Sequence, residues 1–511
     1  MRAKNIGRSA LRLIWRRLFR PLLDILPGNW GARLLTLAHY IKLTLVHGHT
    51  LEFDQHYIAP AVPPSASPSA APSSIASAGT SKAMAASFLP RRPAATVVPD
   101  WVCAELAELA LIEPELTPTP AFLKRFHVYR PPMELEAARV YAQCRRAVDA
   151  LQPDMIIVVP WLVKGGADLG ALHHAEAAKN AGYKVMLIAT ENAPSPWAGR
   201  VPKGVGFIEF GLLSHALNDT QRMAVFARVM LDTPARVVHI INSQLGWEVL
   251  KRHGRSLTGI GMRIFASVFS DGRDEKGIMW SYPRFYFVDC WKLLSGVLCD
   301  SRWYPQDLIR QYGVPARKLH TVHFPLPAHA EPRYRSDDKA PVLWASRITE
   351  SKRPELLLQI ARKMPDVQFE VFGYATKPER HYEDVLRALP NIRLRGAYDS
   401  LEDVVAENSY SAFLYTSSWD GLPNVLLEAV AAGLPVVASA ICGVPEFITT
   451  QTGYPVFDID DADAYVAALR EALESPQQRV QKWEAASALL RSQHSMDVFQ
   501  RSLHSIPGYF S

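Results

Sequence analysis

The stretch Leu414-Tyr415-Thr416-Ser417-Ser418-Trp419-Asp420-Gly421-Leu422-Pro423-Asn424-Val425-Leu426-Leu427-Glu428-Ala429-Val430-Ala431-Ala432-Gly433-Leu434-Pro435-Val436-Val437-Ala438-Ser439 decides the fold. A short apolar run opens into a loop bearing Gly and Pro. A helix closed by Gly433 follows, and then a second apolar run. That order is a strand, helix and parallel strand, the unit of an α/β sheet. Asp420 on the loop and Glu428 in the first turns of the helix stand eight residues apart. Both carboxylates can accept hydrogen bonds from the hydroxyl groups of a bound ligand. Just downstream, Cys442-Gly443-Val444-Pro445-Glu446 reads as the opening of another helix, with Glu446 a charge favoured by the helix dipole.

Outward from this unit the same alternation continues in both directions. Residues 342–345, 368–372, 392–394 and 412–415 read as strands, as do 436–438. An earlier series comprises 155–159, 184–190, 237–241, 263–269 and 294–298, with a helix over 168–181 ended by Gly182. A polar, proline-containing segment, 325–341, separates the series and reads as an interdomain hinge. The pattern implies two doubly wound α/β domains facing across a cleft. Residues 153–330 form the first and 331–485 the second, with a carboxyl-terminal helix over 486–511. Ahead of them, 100–152 reads as a helical section.

The first hundred residues differ in kind. Residues 61–80 contain six Ala, six Ser and four Pro, a composition with too little apolar surface to offset its ordering entropy. The flexible tether is expected over 59–99. Residues 1–58 form a leader in which Leu11, Leu13, Ile14, Leu18, Phe19, Leu22, Leu23 and Ile25 alternate with Arg12, Arg16, Arg17 and Arg20. The arginines rule out a membrane-spanning helix and a secretory signal. A basic amphipathic helix on an anionic membrane surface fits, with residues 1–46 as the contact; a helix packed on the body with its arginines in water is the alternative.

Charge follows the same division. The 511 residues carry a net +6, but residues 1–50 hold nine Lys and Arg against Asp24 alone, leaving the rest at −2. A near-neutral body gives no basis for a nucleic-acid partner. Five scattered cysteines, with no CxxC, exclude a disulfide framework and a structural zinc site and point to a reducing compartment.

In open α/β sheets, ligands bind where strands end and helices begin. Four such turns carry chemistry. Pro160-Trp161-Leu162-Val163-Lys164-Gly165-Gly166-Ala167-Asp168 places two glycines before a helix, where backbone N–H groups can approach an anion, or simply make a tight turn. In Trp344-Ala345-Ser346-Arg347-Ile348-Thr349-Glu350-Ser351-Lys352-Arg353-Pro354, Arg347 and Lys352 suit a diphosphate, or remain solvated loop charges. Gly373 follows a strand and lets a ligand approach the backbone. The Asp420 loop is the fourth.

Residues 342–446 closely resemble the carboxyl-terminal domain of retaining GT-B glycosyltransferases of family four, the group 1 glycosyltransferases. The matching features are a strand ending in Arg347, then Lys352, Gly373, Asp420-x7-Glu428, and Ala429-Val430-Ala431-Ala432-Gly433-Leu434-Pro435-Val436. The first half matches more loosely through Gly165-Gly166, so the likeness covers about 150–505. The resemblance implies that Arg347 and Lys352 hold and neutralise the donor diphosphate, that Glu428 binds the ribose, and that Asp420 binds the transferred sugar. Backbone at Gly165, Gly166, Leu422, Pro423 and Asn424 would contact phosphate and sugar. It also implies retention of configuration, no metal, and no cofactor beyond the nucleotide-sugar donor as substrate.

Two departures stand out. The first acidic position is Asp420, where the family usually has Glu. The family's acceptor-side His is missing from 264–272, where Asp271, or His239 on the preceding strand, are the substitutes open. The expected activity is transfer of a hexosyl group to a glycan or lipid-linked glycan acceptor in bacterial surface polysaccharide synthesis, at the cytoplasmic face of the cell membrane. A non-catalytic nucleotide-sugar or glycan-binding module is the alternative, kept open by those departures. A nicotinamide-dependent oxidoreductase is argued against, because no G-x-G-x-x-G follows the early strands.

Overall fold

The computed structural model describes residues 100–126, 135–273, 278–326, 332–337, 339–375 and 379–510. The leader and tether expected over 1–58 and 59–99 lie outside them. The expected helical section contains the helices Asp100–Leu109, Pro120–Phe126 and Leu135–Leu151.

Two parallel sheets follow. The first contains β1 (Met155–Val159), β2 (Val185–Ala189), β3 (Gly206–Glu209), β4 (Val237–Ile241) and β5 (Arg263–Ser267). After a two-stranded hairpin, β6 (Gly272–Arg273) with β7 (Met279–Trp280), it is completed by β8 (Gly296–Cys299) and β9 (Leu319–Thr321). Its order is β3-β2-β1-β4-β5-β8-β9. The second sheet has β10 (Val342–Ala345), β11 (Phe369–Phe372), β12 (Ile392–Gly396), β13 (Ala412–Tyr415), β14 (Val436–Ser439) and β15 (Tyr454–Val456), in the order β12-β11-β10-β13-β14-β15. This is the pair of Rossmann-like domains expected of a GT-B fold.

The central strands are short and apolar throughout because helices cover both faces of a parallel sheet. Every residue of β1, β2, β4, β10, β13 and β14 is buried. β3, β9 and β15 escape sequence inspection: they are edge or near-edge strands of three or four residues, partly exposed and without a long apolar run.

Two expectations need correction. The second domain does not end at residue 485, because one helix, Pro476–Gln493, runs through that position and packs Trp483, Ala486 and Leu490 into the second core. The chain then crosses back. Helix Met496–His504 and the tail bury Phe499, Leu503, Ile506 and Tyr509 in the core of the first domain. Residues 442–446, read as the opening of a helix, give only a single 3-10 turn, Val444–Glu446. Glu446 instead caps a helix of the other domain. Its carboxylate accepts from the N–H groups of Arg302 (2.9 Å) and Trp303 (2.8 Å) at the start of helix Trp303–Tyr312.

Candidate active site

In each sheet the strand order reverses beside the first strand, between β1 and β4 and between β10 and β13. Ligand crevices in such sheets open at those switch points. The loops after β1, β10 and β13 meet there and line two cavities of about 900 Å³ and 770 Å³. The two share one wall, which contains Lys164, Gly165, Gly166, Arg347, Lys352, Asp420, Pro423 and Asn424. Glu428 and Gly373 face the larger cavity; Leu422 faces the smaller.

Local conformation sets each side chain. After β10 the chain reverses at Arg353, which adopts φ 58° and ψ 58°, rare for a residue with a side chain. Its guanidinium holds that turn by bonding the Asp460 carboxylate (2.9 Å) and the Ile459 carbonyl (2.5 Å). Pro354 then starts the next helix and Lys352 is left on the cavity wall. Gly373, at φ 141°, crosses so near this loop that a Cβ would lie 1.8 Å from the Ser346 carbonyl oxygen. Only glycine fits there. Helix Gly166–Asn180 has Gly165 as its extended N-cap, with no capping side chain, and opens its amino end onto both cavities. Free N–H groups with the helix dipole behind them suit an anion.

Two charges on the shared wall, Lys352 and Asp420, compensate each other. The Lys352 ammonium donates to Asp420 Oδ2 at 2.6 Å. The Tyr415 hydroxyl donates to the same oxygen at 2.8 Å, and the Gly421 N–H to Oδ1 at 3.1 Å. Burial raises the Asp420 pKa, but Lys352, Tyr415 and Gly421 together outweigh it, and the carboxyl stays below its ordinary value. Asp420 is therefore a carboxylate at neutral pH. Glu428 moves the other way: burial raises its pKa against the opposing Lys164 ammonium.

Lys164 has a contact that its loop alone does not suggest. It reaches from the first domain to the second, donates to the Tyr398 carbonyl, and lies 3.9 Å above the Tyr398 ring. Burial lowers its pKa while Asp399 and Glu428 draw it back up. Asp168, in the first turn of helix Gly166–Asn180, is pushed by burial to about 6; the Val163 and Asp168 N–H groups and Arg347 oppose that shift. Arg200, Arg333 and Arg335 add further cations to the larger cavity. These three lie far from the quoted motifs, so nothing local marks them; Lys164 and Asp168 at least flank Gly165-Gly166.

The two acceptor-side candidates are not on either cavity wall. Asp271 is tied to Arg284 (2.5 Å) and to the Tyr304 hydroxyl (2.8 Å). His239 is the third of five residues in β4, short of the strand end where the cleft lies. It is fully buried, with Nε2 on Ser267 Oγ and Nδ1 on the Tyr509 hydroxyl, both at 2.8 Å. Neither is free to meet a ligand. Among the described residues no group of three or more His, Cys, Asp or Glu side chains is arranged to hold a metal ion.

Residues 340–475 match the family model described as "Glycosyl transferases group 1". Sulfoquinovosyl transferase SQD2 of Arabidopsis thaliana is 27% identical over 217 residues, which cover 39% of this chain and 41% of that protein. The GDP-mannose-dependent monoacylated alpha-(1-6)-phosphatidylinositol monomannoside mannosyltransferase of Corynebacterium glutamicum is 28% identical over 283 residues, 52% of this chain and 67% of that one. The matched part thus spans from about two fifths to two thirds of these relatives. Among solved structures, Anabaena Alr3699/HepE in complex with UDP and glucose superposes with a TM-score of 0.57 at 15% identity, covering 69% of this chain and 98% of that one. Residues 340–475 are thus similar to the group 1 glycosyl transferases, and they form the second half of a two-domain GT-B fold.

Proposed function

We propose that this protein is a retaining, metal-independent glycosyltransferase that moves a hexosyl group from a nucleotide-diphosphate sugar to a glycan or lipid-linked glycan acceptor, in the synthesis of bacterial surface polysaccharide. The observation that carries the reading is the shared wall. Arg347 and Lys352 stand where two cavities meet, so a donor in one cavity presents its diphosphate to both cations and its sugar to the other cavity.

Charge develops on the diphosphate as the bond from the anomeric carbon to the phosphate oxygen breaks. A forked guanidinium and an ammonium fixed beforehand stabilise that charge without reorganisation, the largest contribution in most such sites. The uncapped amino end of helix Gly166–Asn180 adds backbone donors. Glu428 takes the ribose hydroxyls. Asp420, ionised and fixed by Tyr415 and Gly421, takes a hydroxyl of the transferred sugar while sharing Lys352. The acceptor oxygen bonds the anomeric carbon on the face the phosphate leaves, and its proton passes to the departing phosphate oxygen.

A lipid-linked acceptor accords with the phosphatidylinositol-bearing substrate in the name of the corynebacterial relative. It accords also with the basic segment 1–46, proposed to hold the enzyme on the cytoplasmic membrane face. No described helix is long and apolar enough to cross a membrane.

With a panel of nucleotide sugars, Glu428→Ala and Lys352→Ala in the full chain are expected to lower transfer by roughly 10²-fold or more while circular dichroism stays unchanged. Turnover close to that of the unmodified protein in both variants would remove the basis for the assignment.

A further inference from the structure

Asp300 stands one residue past β8, on the wall of the smaller cavity, and is 6% exposed. Its two oxygens differ. Oδ2 accepts from the Leu422 N–H of the second domain at 3.0 Å. The donor loop lies so close that a Cβ on Gly421 would fall 2.2 Å from that oxygen. Oδ1 is buried and has no hydrogen-bond partner among the described residues. A buried polar atom is costly to leave unpaired, and such atoms in an otherwise satisfied cleft mark a place a ligand completes.

The surroundings decide which role Oδ1 plays. Burial drives the Asp300 carboxyl well above its ordinary pKa. Asp420 and Glu446, facing it from the second domain, push the same way, while the N–H groups of Leu422 and Asp300 oppose them. Cys299 precedes it in the first domain, and the His323 Nδ1 lies 3.0 Å from the Asp300 carbonyl. The nearby Lys352 ammonium is engaged by Asp420. The site thus favours the protonated form of this carboxyl more than water does. With Oδ2 serving as the acceptor for Leu422, Oδ1 is the oxygen left to bear a proton.

We infer that Asp300 is a further substrate-binding residue, whose unpaired Oδ1 is completed by a hydrogen bond with a hydroxyl of a sugar bound in the smaller cavity. The inference rests on reading the site as a sugar transferase. It assigns two tasks to one side chain: Oδ2 fixes the Leu422 N–H, and with it the loop bearing Asp420 and Asn424, while Oδ1 contacts the sugar. The sugar is either the one transferred or the acceptor's.

Asp300→Asn offers a test by rescue, because an amide places a carbonyl toward Leu422 and an N–H donor where Oδ1 was; Asp300→Ala supplies neither. Both are made in the full chain, and binding of UDP, GDP and the matching nucleotide sugars is measured calorimetrically beside steady-state transfer. Asp300→Ala is expected to bind the free nucleoside diphosphate as the unmodified protein does and to lose at least 30-fold in turnover. Asp300→Asn should regain at least tenfold of that loss. It should also lack any decline in activity that accompanies ionisation of Asp300 in the unmodified protein as pH rises. Weakened binding of the nucleotide sugar assigns the contact to the transferred sugar, and a raised KM for acceptor alone assigns it to the acceptor. Unchanged kinetics in Asp300→Ala, or an Asp300→Asn as impaired as Asp300→Ala with the same pH profile as the unmodified protein, overturns the inference. If the unmodified protein binds no nucleoside diphosphate, the transferase reading falls and this one with it.

Discussion

Asp168 and Asp420 are both aspartates on the cleft wall, yet their environments drive them apart. Asp420 has a cation at 2.6 Å and a hydroxyl at 2.8 Å, and it stays ionised. Asp168 is half-buried and has only the N–H groups of Val163 (3.4 Å) and of Asp168 itself, with a more distant Arg347, to oppose the cost of burial, so its pKa rises to about 6. A raised carboxyl holds its proton to higher pH in the folded chain than in the unfolded one. Stability is therefore lost as pH climbs from about 4 to 6, and the penalty is complete above 6. Asp168→Asn removes it. The variant is expected to gain on the order of 1–2 kcal/mol at pH 7.5, a shift discounted for partial solvation, and little at pH 4.5. Thermal unfolding at the two pH values checks this; an equal difference at both would contradict it. Asp168 is plain in the sequence beside Gly165-Gly166, but its partial burial in the folded cleft is not.

At the scale of elements, the return of the carboxyl-terminal segment to the first domain is what strand-and-helix patterning leaves out. Its anchor is polar. The Tyr509 hydroxyl lies 2.9 Å from His174 Nδ1 on helix Gly166–Asn180 and 2.8 Å from His239 Nδ1 on β4, all fully or almost fully buried. Burial holds both imidazoles below their ordinary pKa, His239 at about 3. A lowered histidine binds fewer protons folded than unfolded, so its contribution is intact above about 6.5 and is lost as pH falls toward 3. Tyr509→Phe leaves two imidazole nitrogens without a partner. It should cost about 1–3 kcal/mol in urea unfolding at pH 7, with m unchanged. A loss under 0.5 kcal/mol would show that the tail is held by Phe499, Leu503 and Ile506 alone. His239 also shows why its acceptor-side candidacy fails: position along a strand, which decides whether a side chain reaches the cleft, is set by where β4 ends.

Across the whole molecule, the two domains exchange carboxylates: Asp300 accepts from the Leu422 N–H, and Glu446 accepts from the N–H groups of Arg302 and Trp303. These bonds, with Lys164 on Tyr398, tie together the walls of a cleft of whose cations the sequence marks Arg347 and Lys352. The body they hold together belongs to a chain whose net +6 comes from its first 50 residues. Deletion of residues 1–58 is expected to abolish co-flotation with anionic vesicles at low salt while leaving donor binding intact. Undiminished flotation would move the membrane contact to the body.

The sequence by itself determined the two α/β domains, the group 1 pattern, and the Arg347, Lys352, Asp420 and Glu428 positions. Each is written in spacing over a few residues: an apolar run buried on both faces, a glycine at a turn, two carboxylates on one strand–loop–helix unit. Only the tertiary structure decided that Asp271 and His239 are occupied elsewhere, that Glu446 caps a helix in the other domain, and that Asp300 lines the smaller cavity with one oxygen unpaired. Those contacts join residues separated by up to 270 positions. Burial and hydrogen-bond satisfaction at such distances depend on how the two sheets and the returning tail pack, which no local period records.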